Sequence, residues 1–115
     1  MNIPDPTIDI QLIIRGVAPS IPVAIRTRPL LLGRADPSAG QQPDIDLTKH
    51  DAHEQGVSRL HAQLQLYDDK VCVEDLGSRN GTYVNGERLA PYVEHPLYDG
   101  DWLRLGKFMI LIDYI

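Results

Sequence analysis

Short stretches in which apolar and polar residues alternate run through almost the whole chain, each stopped within a few residues by Gly, Pro, Asn or Asp. A period of two sends successive side chains to opposite faces, so the pattern dictates strands. "TIDIQLII" puts Ile8, Ile10, Leu12 and Ile14 on one face, and "IPVAIRTR" separates Val23 and Ile25 from Arg26 and Arg28. "AQLQLY" sets Ala62, Leu64 and Leu66 against Gln63 and Gln65; Asp68-Asp69 then turns the chain into "KVCVED", whose Val71 and Val73 point inward. "DWLRLG" and "FMILIDYI" close the sequence. The last is too apolar for an exposed edge, and Trp102 and Leu103 read as core. No segment carries a convincing helical period. Many short strands without intervening helices exclude alternating βαβ units. The expected fold is all-β, a two-sheet sandwich of short, mainly antiparallel strands with its loops gathered at the ends.

A length of 115 residues predicts one domain over 1–115, able to bury a core without staples. The formal charge of −5 argues against a nucleic-acid binder, although local arginines can still hold a single anion. Cys72 is the lone cysteine, which excludes an internal disulfide and a Cys-based zinc site. No apolar run is long enough to span a bilayer, and the start "MNIPDPTIDI" lacks the basic and apolar regions of a leader. These readings predict a monomeric domain of the cytoplasm, or a soluble cytoplasmic piece of a larger protein, without membrane insertion.

One segment breaks the strand rhythm. Ala35 to Val57, "ADPSAGQQPDIDLTKHDAHEQGV", is polar and rich in turn formers, with only Ile45 and Leu47 placed to pack as one short strand. A loop this long in a compact domain is usually functional or disordered. Further on, "DLGSRNGTYVNGERL" holds two Asn-Gly pairs. Asn85-Gly86 sits between extended flanks and reads as a hairpin turn, where positive φ suits both residues. Asn80-Gly81 is not needed for that reversal, which leaves Ser78, Arg79 and Asn80 for another task.

The polar residues at strand ends and in loops are Arg34, Ser58, Arg59, His61, Ser78, Arg79 and Asn80. A sandwich can bring such residues together at one end. Arginine offers a planar fork, serine a hydroxyl, and tight loops offer backbone N–H groups; together these suit a phosphate dianion. Asparagine has both an acceptor and a donor and can pair with an extended peptide backbone. The set would read a phosphate attached to a peptide.

Gly33-Arg34, then "SRLHA" at Ser58–Ala62, then "DLGSRNGTYVNG", then "LYDGDWLRLG" resemble the forkhead-associated (FHA) domain in order and spacing, from about Leu30 to the C-terminus. The resemblance implies a β-sandwich that binds phosphothreonine in partner proteins downstream of Ser/Thr kinases, without catalysis or cofactor. It implies that Arg34 and Ser58 grip the phosphate with Arg59 at its edge. Asn80, with Arg79 beside it, would hold the peptide main chain, while Gly33, His61 and Gly81 would brace the loops. The chain departs from the family pattern in Arg79, where many members carry a small hydroxyl residue, and in its long loop before Ser58.

Three other readings compete. Ser58, His61 and an Asp invite a hydrolase triad, but "GSRNG" is not a nucleophile elbow, and Ser58 and His61 on adjoining loop and strand positions supply no oxyanion hole. His50-Asp51-Ala52-His53 with Asp44 and Asp46 could ligate a divalent ion, but the spacing suits a helix and no helical pattern surrounds it. The same loops could instead bind an unmodified partner, or a second copy, independently of phosphate.

Overall fold

The computed structural model describes residues 5–16 and 19–115; residues 1–4, which open the stretch read above as lacking a leader, lie outside the described residues. Among the described residues eleven strands form. They are β1 (Ile8–Ile14), β2 (Ile21–Ile25), β3 (Leu30–Gly33), β4 (Ile45–Asp46), β5 (Ala62–Tyr67) and β6 (Lys70–Asp75), then β7 (Thr82–Val84), β8 (Glu87–Arg88), β9 (His95–Pro96), β10 (Trp102–Leu105) and β11 (Phe108–Tyr114). One sheet has the order β2-β1-β11-β10-β7-β8 and the other β4-β3-β5-β6-β9. Every described pairing is antiparallel except β3 with β4. The two-sheet sandwich expected from the alternation is the fold.

Burial follows the period of two. Ile10, Leu12 and Ile14 of β1 face Ala62, Leu64 and Leu66 of β5 and Val71 and Val73 of β6 across a common core. Each fully buried Leu or Ile contributes about 1.5–3 kcal/mol, so the inward rows dominate the stability. β11, the most apolar strand, lies between β1 and β10 and has no free edge. Trp102 corrects the sequence reading. Leu103 and Leu105 take the two inward positions of β10, so Trp102 and Arg104 point outward, and Trp102 is 38% exposed. Cys72 is buried on the other side of β6 from Val71 and Val73, a free thiol. No helix among the described residues is long and apolar enough to cross a membrane.

The two acidic residues of the β5–β6 turn, Asp68 and Asp69, both take positive φ, as do Asn85 and Gly86 between β7 and β8. Both are two-residue hairpins whose twist matches the flanking strands. The long segment from Ala35 to Val57 is more ordered than its composition suggests. Ile45 and Leu47 pack as expected, and Ala52 and Val57 are buried with them. The Asp46 carboxylate accepts hydrogen bonds from the Ala35 and Thr48 backbone N–H groups, both at 3.0 Å, and from the Thr48 hydroxyl. Leu47 N donates to Gly33 O at 2.8 Å, which anchors the segment beside the end of β3.

Candidate functional site

β3 ends at Gly33 because a second loop crosses directly above it. A Cβ added there would stand 1.9 Å from the carbonyl oxygen of Arg59, so only glycine admits the crossing. The next residue, Arg34, donates its backbone N–H to that same oxygen at 3.1 Å. Its Nε donates to Val57 O at 2.8 Å, which fixes the plane of the guanidinium. Neither terminal nitrogen of Arg34 has a protein acceptor among the described residues.

Ser58 lies on the crossing loop. Its backbone N–H donates to His61 Nδ1 at 3.0 Å, and its Oγ accepts from Arg79 N at 3.3 Å. Since Oγ is already an acceptor for Arg79, the hydroxyl proton can be aimed into the cleft. His61 is fully buried and spans two loops, with Nδ1 accepting from Ser58 and Nε2–H donating to Gly81 O at 2.9 Å. These bonds require the neutral imidazole with its proton on Nε2. Burial pushes the His61 pKa below its ordinary value, against the opposing pull of the Gly81 carbonyl and the Asp75 charge. Both ring nitrogens are engaged with backbone groups, so neither is left to take a proton from Ser58 Oγ.

The loop after β6 is built around Asp75. This buried carboxylate accepts from Gly77 N at 3.0 Å, Ser78 N at 3.1 Å, Ser78 Oγ at 2.5 Å and Thr82 Oγ1 at 2.7 Å. Burial alone would raise its pKa; the bonds donated by Ser78 and Thr82 outweigh that and hold it below the usual value. Ser78 Oγ accepts in turn from Gly81 N at 3.0 Å, which closes the loop on itself. Gly81 turns the chain at φ +87°, and its carbonyl also accepts from Gly106 N at 2.9 Å. Asn80 stands at the tip and donates its Nδ2 to Gly56 O at 2.9 Å, joining the two loops.

Between these loops lies a cleft of about 320 Å³, lined by Arg34, His53, Gly56, Val57, Ser58, Arg79 and Asn80. The structure thus brings Arg34, Ser58, Arg79 and Asn80 to one place, with Gly33, His61 and Gly81 beneath the loops that form it. It does not bring Arg59 there. Arg59 Nε pairs with Asp36 at 2.8 Å, outside the lining. Hydrogen bonds from Ser38, helped by Arg59 and Arg34, lower the Asp36 pKa despite some desolvation.

Sequence reasoning missed Asp75, His53 and Gly56. The signal for Asp75 was present, since an Asp two residues before a Gly favours a turn in which the carboxylate accepts backbone N–H groups. His53 and Gly56 carry no local signal, because only the path of the long loop puts them at the cleft. The two histidines of the metal reading part company: His53 lines the cleft, while His50 lines a depression farther along the surface with Arg15 and Lys107. Among the described residues no three His, Cys, Asp or Glu side chains gather as metal ligands.

Comparison with known proteins identifies the family. The chain is 42% identical over 81 residues to the glycogen accumulation regulator GarA of Mycobacterium tuberculosis, covering 70% of this chain and 46% of GarA. It is 45% identical over 65 residues to protein FraH of a Nostoc species, covering 56% of this chain and 22% of FraH. The chain therefore spans less than half the length of these relatives. A solved structure from work on phosphothreonine-dependent FHA domain interactions superposes with a TM-score of 0.68 at 28% identity, covering 91% of this chain and 95% of that one. The family model of the FHA domain matches residues 30–106, and the chain belongs to that family.

Proposed function

We propose that this chain is a non-catalytic module that binds a phosphothreonine-containing segment of a partner protein. The observation that carries the reading is the convergence of Arg34, Ser58, Arg79 and Asn80 on one open cleft, with the arginine's terminal nitrogens uncommitted. A phosphate monoester is a near-dianion at neutral pH and takes strong charge-assisted hydrogen bonds. Arg34 and the Ser58 hydroxyl hold its oxygens, and Arg79 adds positive charge at the rim. Asn80 pairs through its remaining amide capacity with the peptide main chain. Arg59 acts from the edge of the site, where Asp36 holds it. Gly33, His61 and Gly81 set the shape of the loops and do not touch the ligand.

The engagement of His61 with two backbone groups supports the non-catalytic reading, because a hydrolytic serine needs a free base beside it. The regulator name of GarA and the phosphothreonine dependence named for the FHA structure point the same way. The module works in the cytoplasm, where Ser/Thr kinases write the mark. Threonine is preferred over serine because its extra methyl can pack against the loop, worth about 0.8 kcal/mol if fully buried.

The test is calorimetric titration with one peptide in four forms: phosphothreonine, phosphoserine, phosphotyrosine and unmodified. Binding should be strongest for phosphothreonine, a few-fold weaker for phosphoserine and absent for the unmodified peptide. Equal binding of the phosphorylated and unmodified forms would transfer the site to phosphate-independent recognition.

A further inference from the structure

The cleft does not stop at Asn80. Gly56 and Asn80 also border a second depression, of about 440 Å³, which runs over Tyr83, Arg104 and Gly106 to Lys107. Gln55 and Lys107 carry it into a third, of about 290 Å³, that reaches Arg15 and Met109. Each depression shares residues with the next, so the three form one trough. Residues 50–56 of the long loop supply one wall, and the outer face of the six-stranded sheet supplies the floor.

Strand register explains that floor. Tyr83 pairs with Arg88 and with Arg104, Arg104 pairs with Met109, and Arg15 N donates to Met109 O at 3.2 Å. Residues opposite one another share a face, so these side chains make one row on the solvent side. From Tyr83 to Arg15 the floor crosses three interstrand spacings, about 14 Å, the reach of roughly four extended residues. The Arg104 guanidinium stacks 3.8 Å from the Tyr83 ring centroid and donates to Gly106 O at 2.6 Å, so it is fixed in place. Arg15 and Lys107 are exposed.

Charge selects the occupant. The chain has a formal charge of −5, yet the trough carries Arg34, Arg79, Arg104, Lys107 and Arg15 against only Glu54 and Asp51. The ion pairs among the described residues involve Arg28 and Arg59, not these cations. Arginine, tyrosine and methionine are also the residues enriched where proteins meet partners. We infer that the trough beyond Asn80 takes an acidic segment of the same partner chain, with Arg15 and Lys107 as specificity-determining contacts. The inference rests on the phosphopeptide reading for the anchor, and on the charge of the trough for the rest.

The test is fluorescence anisotropy on the full chain with labelled peptides. One phosphothreonine peptide carries six Asp and Glu residues on its N-terminal side, a second carries them on its C-terminal side, and a third has Asn and Gln on both sides. Unphosphorylated forms of all three complete the set. At low salt, acid on one side should tighten binding about fivefold, as expected for a few exposed charge pairs, and the gain should fade as salt rises. Arg15→Gln with Lys107→Gln should abolish that gain and leave the neutral phosphopeptide within about twofold of the parent. Equal binding of acidic and neutral flanks, or equal weakening of both by the double variant, would overturn the inference. If phosphorylation brings no gain with the neutral flanks, the phosphopeptide reading falls by itself. The trough then stands if acidic peptides still need Arg15 and Lys107, and falls if they do not.

Discussion

Two Asn-Gly pairs lie five residues apart, and the structure uses them differently. At Asn85-Gly86 both residues take positive φ, and a Cβ on Gly86 would meet nothing within 4 Å. The Asn85 side chain serves its own sheet, accepting from Trp102 N at 2.9 Å and donating to Asp101 at 3.0 Å. At Asn80-Gly81 only the glycine takes positive φ, and the asparagine reaches across to Gly56 on another loop. Beneath it lie the bonds from Gly81 to Ser78 and His61, and through Ser78 to Asp75. The same dipeptide makes a strand reversal in one place and a presented, braced tip in the other. What distinguishes them is the buried polar scaffold under the second, and it should be possible to break each without the other.

The largest effect should come from that scaffold. Asp75→Ala leaves the donors at Gly77, Ser78 and Thr82 without their acceptor inside the protein. A loss of about 3 kcal/mol, or on the order of 10 °C in Tm, is expected, with phosphopeptide binding reduced as the loop loosens. Thermal melts monitored by circular dichroism check this; an unchanged Tm would mean the loop does not depend on Asp75.

The glycines sharpen the comparison. Gly81→Ala and Gly86→Ala both force positive φ on a residue with a side chain, costing about 1–2 kcal/mol each. Gly81→Ala should cost somewhat more stability, because its Cβ would also stand 2.8 Å from Arg88 Nε while one at Gly86 meets nothing, and only Gly81→Ala should weaken phosphothreonine-peptide binding. Matched losses of affinity would erase the distinction between the two loops.

Next in size are the asparagines. Asn85→Ala should cost about 1 kcal/mol of stability and leave binding intact, because it loses its bonds to β10 and its neighbour. Asn80→Ala should do the reverse, with stability nearly kept and affinity down roughly tenfold. Denaturant melts beside anisotropy titrations resolve the two.

The smallest effect is one of pH. The His61 pKa is depressed in the fold, so between its folded value and the ordinary 6.5 the unfolded chain binds a proton that the native one refuses. Stability should therefore be full above about pH 6.5 and fall as pH drops below it. Asp75, also depressed, adds its own loss only below its ordinary 3.8. Denaturant midpoints of the parent at pH 7.5 and 5.5, set beside those of His61→Gln, should show the decline in the parent and a flatter profile in the variant.

Much of this was legible in the sequence. The alternation in β1, β5, β6 and β11 set which residues are inward, because a period of two leaves a strand only one way to bury its apolar face. Gly33, Arg34, Ser58, His61 and Asn80 could be picked out by their order and spacing. Trp102 could not be placed: its size suggested core, and the register of β10 against Leu103 and Leu105 decided otherwise. Arg59 looked like Arg34 as a charge beside a loop, and only the approach of Asp36 through the long segment keeps it out of the cleft lining. His53 and the trough wall depend on how Ala52 and Val57 anchor that segment, a tertiary fact with no local pattern.

The central claim is that Arg34 presents the two uncommitted terminal nitrogens of its guanidinium to a phosphate. Its most direct test is the affinity of one phosphothreonine peptide for the parent, for Arg34→Ala and for Arg34→Lys, measured by calorimetry beside a thermal melt of each. The account predicts a loss of about 1.5–3 kcal/mol for alanine, roughly ten- to a hundredfold in Kd. Lysine should recover part of this, because it keeps the charge and loses the fork. The bond from Nε to Val57 O adds a stability cost of only about 1 kcal/mol, so both variants should remain folded. A folded Arg34→Ala protein that binds the phosphopeptide as tightly as the parent would contradict the account.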